Sequence, residues 1–349
     1  MGGSSSKKKK ISKIVIERNK KIENYIEKDF EEKQKEVKIL VLGTGESGKT
    51  TLIKQMMILF QKGFGDDDRD SYFIAIRQNV ILFSIALISI VETLNIKVLD
   101  ETREIFRQIE KLDKDDLDET SGKLIQKIWA DSGLKEAFSR RSQFQVPDST
   151  SYFLDEVIRI SDSNYVPSTK DMLYCRIPTT GVNYIKFIHA ETPWLVVDVG
   201  GQRSERKKWI HQFDDVDTLI FVIAINEFDQ TLYEDSSVNR MIESLTLFEQ
   251  TVNNDFFKKK NCIILFNKMD LFYEKIISQD PSITFPDYQD GNDPEKAKEF
   301  IKSKFISVAE NLDRKIFCQY TQAIETEKIK EVFDQITSFI KENDKFKKI

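Results

Sequence analysis

Cysteine, histidine and glycine are all scarce in this chain of 349 residues. Its three cysteines are an odd and sparse set, which argues against a disulfide framework and indicates a reducing compartment. Its two histidines nearly exclude a histidine-rich zinc site. The formal net charge of −5 argues against a general nucleic-acid-binding protein, so no nucleic-acid partner is expected.

Long hydrophobic runs are also lacking. The longest uncharged apolar run, Val80 to Val91, is shorter than the roughly 20 residues that a membrane-spanning helix needs. We therefore expect a buried core helix there and no membrane span. No apolar segment follows the polar, lysine-rich start of the chain, so no secretory signal is predicted.

The few glycines present are concentrated in short motifs. Six of the 13 stand at positions 43, 45, 48, 181, 200 and 201. Glycine kept at such places and rare elsewhere indicates backbone that approaches a ligand closely. Hydrophobic residues make up 40% of the chain, which is enough for packed cores, and the length predicts about two domains.

Apolar periodicity predicts an α/β domain that is interrupted by an all-helical insertion. The predicted strands are 37–42, 184–188, 194–197, 219–225, 262–266 and 316–320, and the second and third form a hairpin. Because the later strands alternate with helices, we expect a mostly parallel sheet that is covered on both faces. The α/β domain is assigned to residues 35–62 and 171–349, and the insertion to residues 63–170.

The spacing of apolar residues within the insertion is helical throughout, starting at Tyr72. The predicted helices there are 77–91, 102–112, 123–129 and 152–160, with an acidic loop at 113–122. Two further helices are predicted in the α/β domain, at 50–60 and 325–341.

Residues 1–34 are predicted to form a basic amphipathic helix. The first 38 residues carry 12 Lys and Arg against 7 Asp and Glu. One narrow apolar stripe runs along this segment, at Ile11, Val15, Ile22, Ile26 and Phe30. A solvated helix is one interpretation, but a stripe with nothing local to bury it favours docking onto a membrane or a partner.

The segment Gly43–Thr50 fits the pattern G-x-x-x-x-G-K-[ST] and lies between a predicted strand and a predicted helix. Its glycines allow backbone N–H groups to point inward as an anion-binding nest, and the helix N-terminus adds positive partial charge. We expect Lys49 to reach the β- and γ-phosphates of a nucleotide and the Thr50 hydroxyl to bind Mg²⁺.

A second motif follows the predicted strand 194–197. Asp198-Val199-Gly200-Gly201-Gln202 places an acidic residue at the end of a buried strand, which is costly unless that residue is paired, and a carboxylate associated with Mg²⁺ is paired. Gly201 would offer an N–H to the γ-phosphate, and Gln202 could orient the attacking water. Alone this motif is weak evidence and could be a simple turn, whereas together with the phosphate-binding loop it becomes strong.

Asn267-Lys268-Met269-Asp270 follows the predicted strand 262–266. In isolation it is a common turn-like tetrapeptide, but in this place and order it suits guanine recognition. The carboxylate of Asp270 accepts two hydrogen bonds from guanine, whereas adenine lacks that pair of donors. The aliphatic stem of Lys268 can lie along the base, and Asn267 can tie the loop to the phosphate-binding loop.

The segment Arg176–Gly181 lies where the insertion rejoins the α/β domain. On its own it could be a polar linker. Beside the other motifs, Arg176 is a candidate to neutralise charge at the γ-phosphate, and Thr179 is a candidate for a second hydroxyl on Mg²⁺.

Together these motifs resemble the α subunits of heterotrimeric G proteins. The resemblance covers nearly the whole chain and is most specific in the run 198–211 (DVGGQRSERKKWIH) and in the helical insertion. It implies a Ras-like P-loop GTPase domain with an inserted all-helical domain. It further implies a GTP-hydrolysing switch that is inactive with GDP and active with GTP, with Gln202 and Arg176 as catalytic residues.

The resemblance also implies a set of nucleotide-binding positions, including two in the insertion and one in a loop near the C-terminus. They are Glu46, Ser47, Gly48, Lys49, Thr50, Thr51, Asp148, Ser149, Leu173, Tyr174, Cys175, Arg176, Ile177, Pro178, Thr179, Asp198, Val199, Gly200, Gly201, Gln202, Asn267, Lys268, Met269, Asp270 and Ala323. The implied ligands are GTP or GDP and Mg²⁺, the last held by Thr50 and Thr179.

The partners implied by the resemblance are a Gβγ dimer, a seven-helix receptor or other exchange factor, an RGS-type GTPase activator and an effector. The start Met1-Gly2 with Ser6 fits the N-myristoylation pattern, and four lysines follow at 7–10. We therefore expect lipidation at Gly2 and a peripheral location at the cytoplasmic face of the plasma membrane, with part of the protein in the cytoplasm.

Two other readings stay open at this point. A P-loop ATPase or nucleotide kinase is disfavoured by Asn267 and Asp270. A GTP-binding scaffold that barely hydrolyses is disfavoured by the presence of both Arg176 and Gln202.

Overall fold

The structure, a computed structural model, describes residues 20–21, 23–24, 35–144, 146–232, 234–309 and 315–342. The amphipathic helix predicted over 1–34 therefore lies almost entirely outside the described residues, as do Gly2 and the four lysines. Those predictions are not tested by the structure.

A six-stranded sheet forms the centre of the α/β part. Its strands are Val37–Leu42 (β1), Val182–His189 (β2), Thr192–Val199 (β3), Thr218–Ala224 (β4), Asn261–Asn267 (β5) and Ile316–Tyr320 (β6). Their order is β2-β3-β1-β4-β5-β6, and β2 is antiparallel to β3 while the other pairs are parallel. The predicted mostly parallel sheet and its hairpin are confirmed.

The α-helices of the described residues are numbered in chain order. They are Lys49–Phe60 (α1), Asp66–Thr93 (α2), Asp100–Ile109 (α3), Glu119–Trp129 (α4), Ser132–Ser139 (α5), Thr150–Asp155 (α6), Val157–Ser161 (α7), Thr169–Tyr174 (α8), Arg240–Val252 (α9), Met269–Ile276 (α10), Pro294–Ser307 (α11) and Thr326–Glu342 (α12). Short 3-10 helices occupy Arg141–Gln143, Arg206–Gln212, Ile225–Asp229 and Pro281–Ile283.

Helices cover both faces of the sheet, as an apolar parallel sheet requires. On one face α1 and α12 pack through residues such as Met56 and Phe333. On the other face α9, α10 and α11 pack through Phe248, Phe272 and Phe305. Strand β4 is buried at every residue, which explains why its sequence is a continuous apolar run rather than an alternating one.

The helical part has a core of its own. This core is built from buried residues that all lie between Ile76 and Cys175. Cys175 falls just inside the segment that we assigned to the α/β domain, yet it packs with the helical core. The limits at residues 63 and 171 stay predictions.

Three local predictions in the insertion need correction. Helix α2 begins at Asp66 rather than near Tyr72, because three aspartates in its first turn suit the positive end of a helix. The loop predicted to extend to Gly122 ends at Asp118, whose side chain accepts a hydrogen bond from the Ser121 N–H at 2.7 Å and so caps α4. The helix predicted over 152–160 is divided into α6 and α7 at Glu156, whose backbone is not helical.

The expectation that no segment is long enough to span a membrane was wrong, because one helix is long and apolar enough by the criteria of length and composition. Helix α2 is 28 residues long and contains an 18-residue window with a mean hydropathy of 2.0. Counting only the uncharged run missed this, because the helix extends beyond that run on both sides. More than half of the window is buried inside the fold, and many of its residues belong to the helical core, which agrees with the expected core helix.

Candidate functional site

A cavity of about 490 Å³ lies between the carboxyl ends of the parallel strands and the helical insertion. Ligands of open α/β sheets bind at this edge, where the connections from neighbouring strands diverge. The predicted site residues that line the cavity are Glu46, Gly48, Lys49, Thr50, Thr51, Asp148, Ser149, Leu173, Tyr174, Cys175, Arg176, Ile177, Pro178, Thr179, Gly201, Gln202, Asn267, Lys268, Asp270 and Ala323.

Five predicted site residues do not line the cavity. They are Ser47, Asp198, Val199, Gly200 and Met269. Each is buried, with an exposed fraction between 0 and 8%. They support the cavity wall from behind, and a direct role toward a nucleotide stays a prediction for them.

The phosphate-binding loop is braced by the loop that follows β5. Gly48 has a φ of +101°, and a Cβ atom on it would collide with Asn267 Nδ2. That same amide donates a hydrogen bond to the Ser47 carbonyl oxygen at 2.9 Å. Glycine is therefore required at position 48 both by the backbone conformation and by the close approach of Asn267.

Lys49 and Asp198 are a buried pair of opposite charges beneath the cavity. Lys49 Nζ donates a hydrogen bond to the Thr44 carbonyl oxygen at 2.8 Å. Burial lowers the pKa of Lys49 to about 8 although the Asp198 carboxylate opposes this shift. Burial raises the pKa of Asp198 to about 6, with Lys49 opposing. A bound anion beside Lys49 would oppose this shift and raise the pKa of Lys49 again.

Three oxygen-bearing side chains meet beside Lys49. The hydroxyls of Thr50 and Thr179 lie 2.6 Å apart, and Thr50 donates a longer hydrogen bond of 3.4 Å to Asp198 Oδ2. The other oxygen, Asp198 Oδ1, is buried and has no hydrogen bond of good geometry among the described residues, although the Asn183 side chain and the Val199 N–H lie close enough to the carboxyl to lower its pKa somewhat. A buried carboxylate oxygen without a donor is costly, so it calls for a partner that protein groups do not supply.

Arg176 does not point freely into the cavity. Its guanidinium forms an ion pair with Glu46 of the phosphate-binding loop, with Nη2 and Oε1 2.5 Å apart. Glu46 also pairs with Arg240 at 2.9 Å. Burial raises the pKa of Glu46, but these two arginines outweigh it and keep the pKa below its usual value. The predicted role of Arg176 at a γ-phosphate thus requires it to leave Glu46.

An ion pair crosses the cavity between the two parts of the chain. Lys268 Nζ donates to Asp148 Oδ2 of the insertion at 2.9 Å and to Glu227 at 3.2 Å. Burial opposes the charge of Lys268, but the two carboxylates raise its pKa above the usual value. The structure thus brings together two residues that lie 120 positions apart in the sequence and that we had assigned to the same site.

At the other end of the cavity lies Asp270. Burial raises the pKa of this carboxyl. Nearby, the Ala323 N–H donates to Asn267 Oδ1 at 2.9 Å, and the Ala323 carbonyl oxygen accepts from Gln55 at 2.9 Å. The contact of Ala323 with guanine stays a prediction, because its N–H has a partner within the protein.

Sequence reasoning missed several residues of the cavity wall. They include Phe138, Arg141, Tyr152 and Asp155 of the insertion, and Arg240 at the start of α9. Arg240 is 5% exposed and pairs with both Glu46 and Glu227. No motif marks these residues. A charged side chain is buried only when it has partners. Because neither the burial of Arg240 nor its partners can be read from the sequence, this rule identifies Arg240 only once the structure is known.

The segment after β3 is held near the phosphate-binding loop. Trp209 is buried and its indole N–H donates to the Gly200 carbonyl oxygen at 2.8 Å. Glu205 accepts a hydrogen bond from the Gly181 N–H at 2.8 Å, which ties this segment to the one that contains Arg176. Gln202 lies over the phosphate-binding loop, since a Cβ on Gly45 would be 3.5 Å from Gln202 Cγ.

The fold and this site define a P-loop nucleotide-binding protein. A family model described as G-protein alpha subunit matches residues 16–340 of the chain. The guanine nucleotide-binding protein subunit alpha of Cryphonectria parasitica and the guanine nucleotide-binding protein alpha-1 subunit of Neurospora crassa are each 37% identical to it over 328 residues, 93% of either chain. The G-protein complex alpha subunit gpaA of Aspergillus fumigatus has the same identity and coverage.

The chain belongs to the G-protein α-subunit family. It binds guanine nucleotides, hydrolyses GTP and acts in signalling as the α subunit of a heterotrimeric G protein, in association with other components of that protein. The predicted family, fold class and activity are therefore confirmed, and a P-loop ATPase or nucleotide kinase is excluded.

Proposed function

We propose that Arg176 and Gln202 carry the hydrolysis of GTP and that Lys49 holds the phosphates. The observation that supports this most is their convergence on one end of the cavity, above the P-loop. Gln202 offers an amide that can orient a water molecule, and Arg176 offers a cation on a side chain already held at the cavity by Glu46. In the general scheme for such enzymes, these are the two groups that act on the attacking water and on the developing charge.

The oxygen cluster beside Lys49 fits a magnesium ion. Magnesium prefers hard oxygen ligands and keeps several waters, and the buried Asp198 Oδ1 has no well-aligned protein donor among the described residues. Thr50 and Thr179 would hold the ion, and Asp198 would bind one of its waters. When bound, the ion neutralises phosphate charge. The hydroxyls of Thr50 and Thr179, which lie 2.6 Å apart, would then bind the ion instead of each other.

Single-turnover hydrolysis tests the two catalytic assignments. Gln202→Leu removes the amide that orients water, and Arg176→Cys removes the cation. Both variants should bind GTP with a stoichiometry close to that of the wild type and hydrolyse it far more slowly, by about 10³-fold or more for Arg176. Arg140→Ala is a suitable control, because that arginine does not line the cavity and forms an exposed pair with Glu136. Hydrolysis at the wild-type rate in either variant contradicts its assignment.

The partners proposed for this chain are a Gβγ dimer, a seven-helix receptor or other exchange factor, an RGS-type activator and an effector. An exposed surface near the Arg176 and Trp209 segments supports the Gβγ proposal. Tyr184 of β2 and Ile210 are both exposed, and the Tyr184 hydroxyl donates to Gln212 at 2.8 Å, which joins the sheet edge to the segment after β3. Exposed apolar residues that adjoin a nucleotide-dependent segment suit a partner whose binding depends on the nucleotide.

We further propose that the protein is peripheral at the cytoplasmic face of the plasma membrane, with part of it in the cytoplasm. A myristoyl chain on Gly2 alone gives only marginal binding, with an association constant of about 10⁴ M⁻¹. The four lysines at 7–10 add up to about 1 kcal/mol each near an anionic leaflet. No cysteine precedes Cys175, so a second lipid on a neighbouring thiol is excluded for this stretch of sequence.

Vesicle binding at two ionic strengths tests the membrane proposal. The myristoylated protein should bind anionic vesicles at low salt and leave them as the salt concentration rises, because exposed charges are then screened. Gly2→Ala, or Gln at all four lysines, should abolish binding. A variant with four exposed lysines of the folded part replaced, at 97, 123, 127 and 258, is the matched control and should bind like the wild type. Full retention at high salt contradicts an electrostatic anchor.

A further inference from the structure

The backbone of Arg176 is held by a side chain from the helical insertion. Asn79 lies in α2 and is only 8% exposed. The Arg176 N–H donates to Asn79 Oδ1 at 3.0 Å, and Asn79 Nδ2 donates to the Arg176 carbonyl oxygen at 3.2 Å. One carboxamide thus satisfies both backbone polar groups of one residue and fixes the peptides on either side of its Cα atom.

The peptide that precedes Arg176 is held from the other part of the molecule. Lys54 of α1 is buried, and its Nζ donates to the carbonyl oxygens of Cys175 at 3.0 Å and Met172 at 2.8 Å. The Arg176 guanidinium is bound by Glu46. Arg176 is therefore fixed at its base by two helices, while its side chain is held by an ion pair that can be exchanged for a phosphate.

A fixed base matters for a long side chain that must place a charge accurately. A displacement of about 1 Å of a catalytic group can cost about a hundredfold in rate. When the guanidinium leaves Glu46, the hydrogen bonds of Asn79 to Arg176 and of Lys54 to the Cys175 carbonyl oxygen keep the Arg176 Cα in place, and only those of Asn79 are made to Arg176 itself. An arginine on a peptide without that support would sample many positions and pay an entropic cost at each turnover.

We propose that Asn79 is a positioning residue for Arg176, so that the helical insertion contributes to GTP hydrolysis through the backbone of the arginine. This inference rests on the role proposed for Arg176 above. A merely structural role, in which Asn79 only keeps the insertion closed against the α/β part, predicts a different result, because closure affects nucleotide release whether or not Arg176 is present.

Single-turnover hydrolysis in two backgrounds separates these roles. Asn79→Ala should slow hydrolysis by about tenfold or more while GTP binding stays stoichiometric. In an Arg176→Ala background the same change should cause no further loss, because residues that act as a unit are non-additive. Gln78→Ala is the matched control on the same helix, since Gln78 bonds the exposed Asp115 at 2.7 Å, and it should hydrolyse like the wild type.

Asn79→Asp guards against a variant that fails to fold. It keeps the side-chain volume and the acceptor for the Arg176 N–H, but it replaces the donor that faces the Arg176 carbonyl oxygen. We expect it to slow hydrolysis as well, and only when Arg176 is present. Wild-type hydrolysis in the folded Asn79 variants, or an equal loss in both backgrounds, would overturn the proposal. Wild-type hydrolysis in Arg176→Ala itself would instead refute the role of Arg176 on which it rests.

Discussion

The two walls of the nucleotide cavity are built in different ways. The α/β wall consists of loops at the ends of strands, where backbone N–H groups and a few consecutive side chains do the binding. The insertion wall consists of single side chains from separate elements, among them Phe138 of α5, Arg141 of a 3-10 helix and Tyr152 of α6. The α/β wall is formed by short contiguous motifs. The insertion wall is formed by residues that lie far apart in the sequence and come together only when the helices pack.

The two walls also differ in what holds them. Each part has its own apolar core, and the helical core is formed from residues between Ile76 and Cys175. The contacts between the two parts described above are polar: Lys268 with Asp148 across the cavity, and Asn79 and Lys54 with the backbone around Arg176. Interfaces of this polar kind permit relative motion of domains, so each core can stay folded while the cavity opens.

The largest expected effect comes from damage to the α/β wall at Gly48. Ala at this position would adopt an unfavourable positive φ, and its methyl group would displace the buried Asn267 amide that holds the Ser47 carbonyl oxygen. We expect the affinity for GDP to fall by a hundredfold or more, with little change in the helical core. Titration with a fluorescent GDP analogue measures the affinity.

Gly291 offers the matched control for Gly48. It has a similar positive φ of +62°, but a Cβ there would meet nothing within 4 Å. Gly291→Ala should therefore carry the backbone cost of about 1–2 kcal/mol in stability and leave the affinity for GDP unchanged. Equal losses of affinity in both variants would show that backbone strain, and not the contact with Asn267, is responsible.

The difference between the walls explains what could be predicted from the sequence. All six strands were predicted. Buried parallel strands such as β4 and β5 are continuous apolar runs, and the motif that follows β5 is contiguous. Lys49, Thr50, Gln202 and Asp270, which belong to the predicted motifs, all line the cavity. Their roles toward the nucleotide remain predictions that mutagenesis must test.

The errors lie where tertiary contacts override local pattern. The break at Glu156 between α6 and α7 leaves the apolar spacing of that segment intact, so periodicity did not show it. Arg240 and Asn79 belong to helices whose patterns give no reason to single them out, and each has a partner more than 90 positions away, Glu46 and Arg176 respectively. A residue whose importance depends on such distant partners is identified only once the fold brings them together.

A smaller effect is expected from the insertion side, at Asp171. This side chain is fully buried and accepts hydrogen bonds from Arg159, Tyr152 and Tyr165, so it ties α8 to α6 and α7. Arg159 is 42% exposed, so we take the lower end of the cost of breaking such a pair, about 2–3 kcal/mol for Asp171→Asn. Chemical denaturation with GDP bound measures the loss, and Asp115→Asn in the exposed loop is the control.

The same carboxylate makes the insertion sensitive to acid. Burial raises the pKa of Asp171, but the hydrogen bonds from Arg159 and Tyr152 outweigh it and hold the pKa below the usual value. A carboxyl with a depressed pKa stabilises the folded state above its unfolded pKa of about 3.9, and that stability is lost as the pH falls below it. Between pH 5 and pH 3 the wild type should therefore lose more stability than Asp171→Asn. Parallel curves for the two proteins would contradict this assignment.

The smallest effect is expected where the two walls meet, at Asp148. Asp148→Asn removes one charge of the pair with Lys268, but the asparagine can still accept a hydrogen bond and Lys268 keeps Glu227 at 3.2 Å. Weakening a charge-assisted hydrogen bond to a neutral one is worth about 1 kcal/mol, so GDP should dissociate about fivefold faster. Asp155→Asn is the matched control, because Asp155 lies in the same wall but bonds Trp129 and Lys135, both of the insertion itself. Displacement of a fluorescent GDP analogue gives both rates. If Asp155→Asn accelerates release as much as Asp148→Asn does, the packing of the insertion, and not the ion pair across the cavity, controls how the walls part.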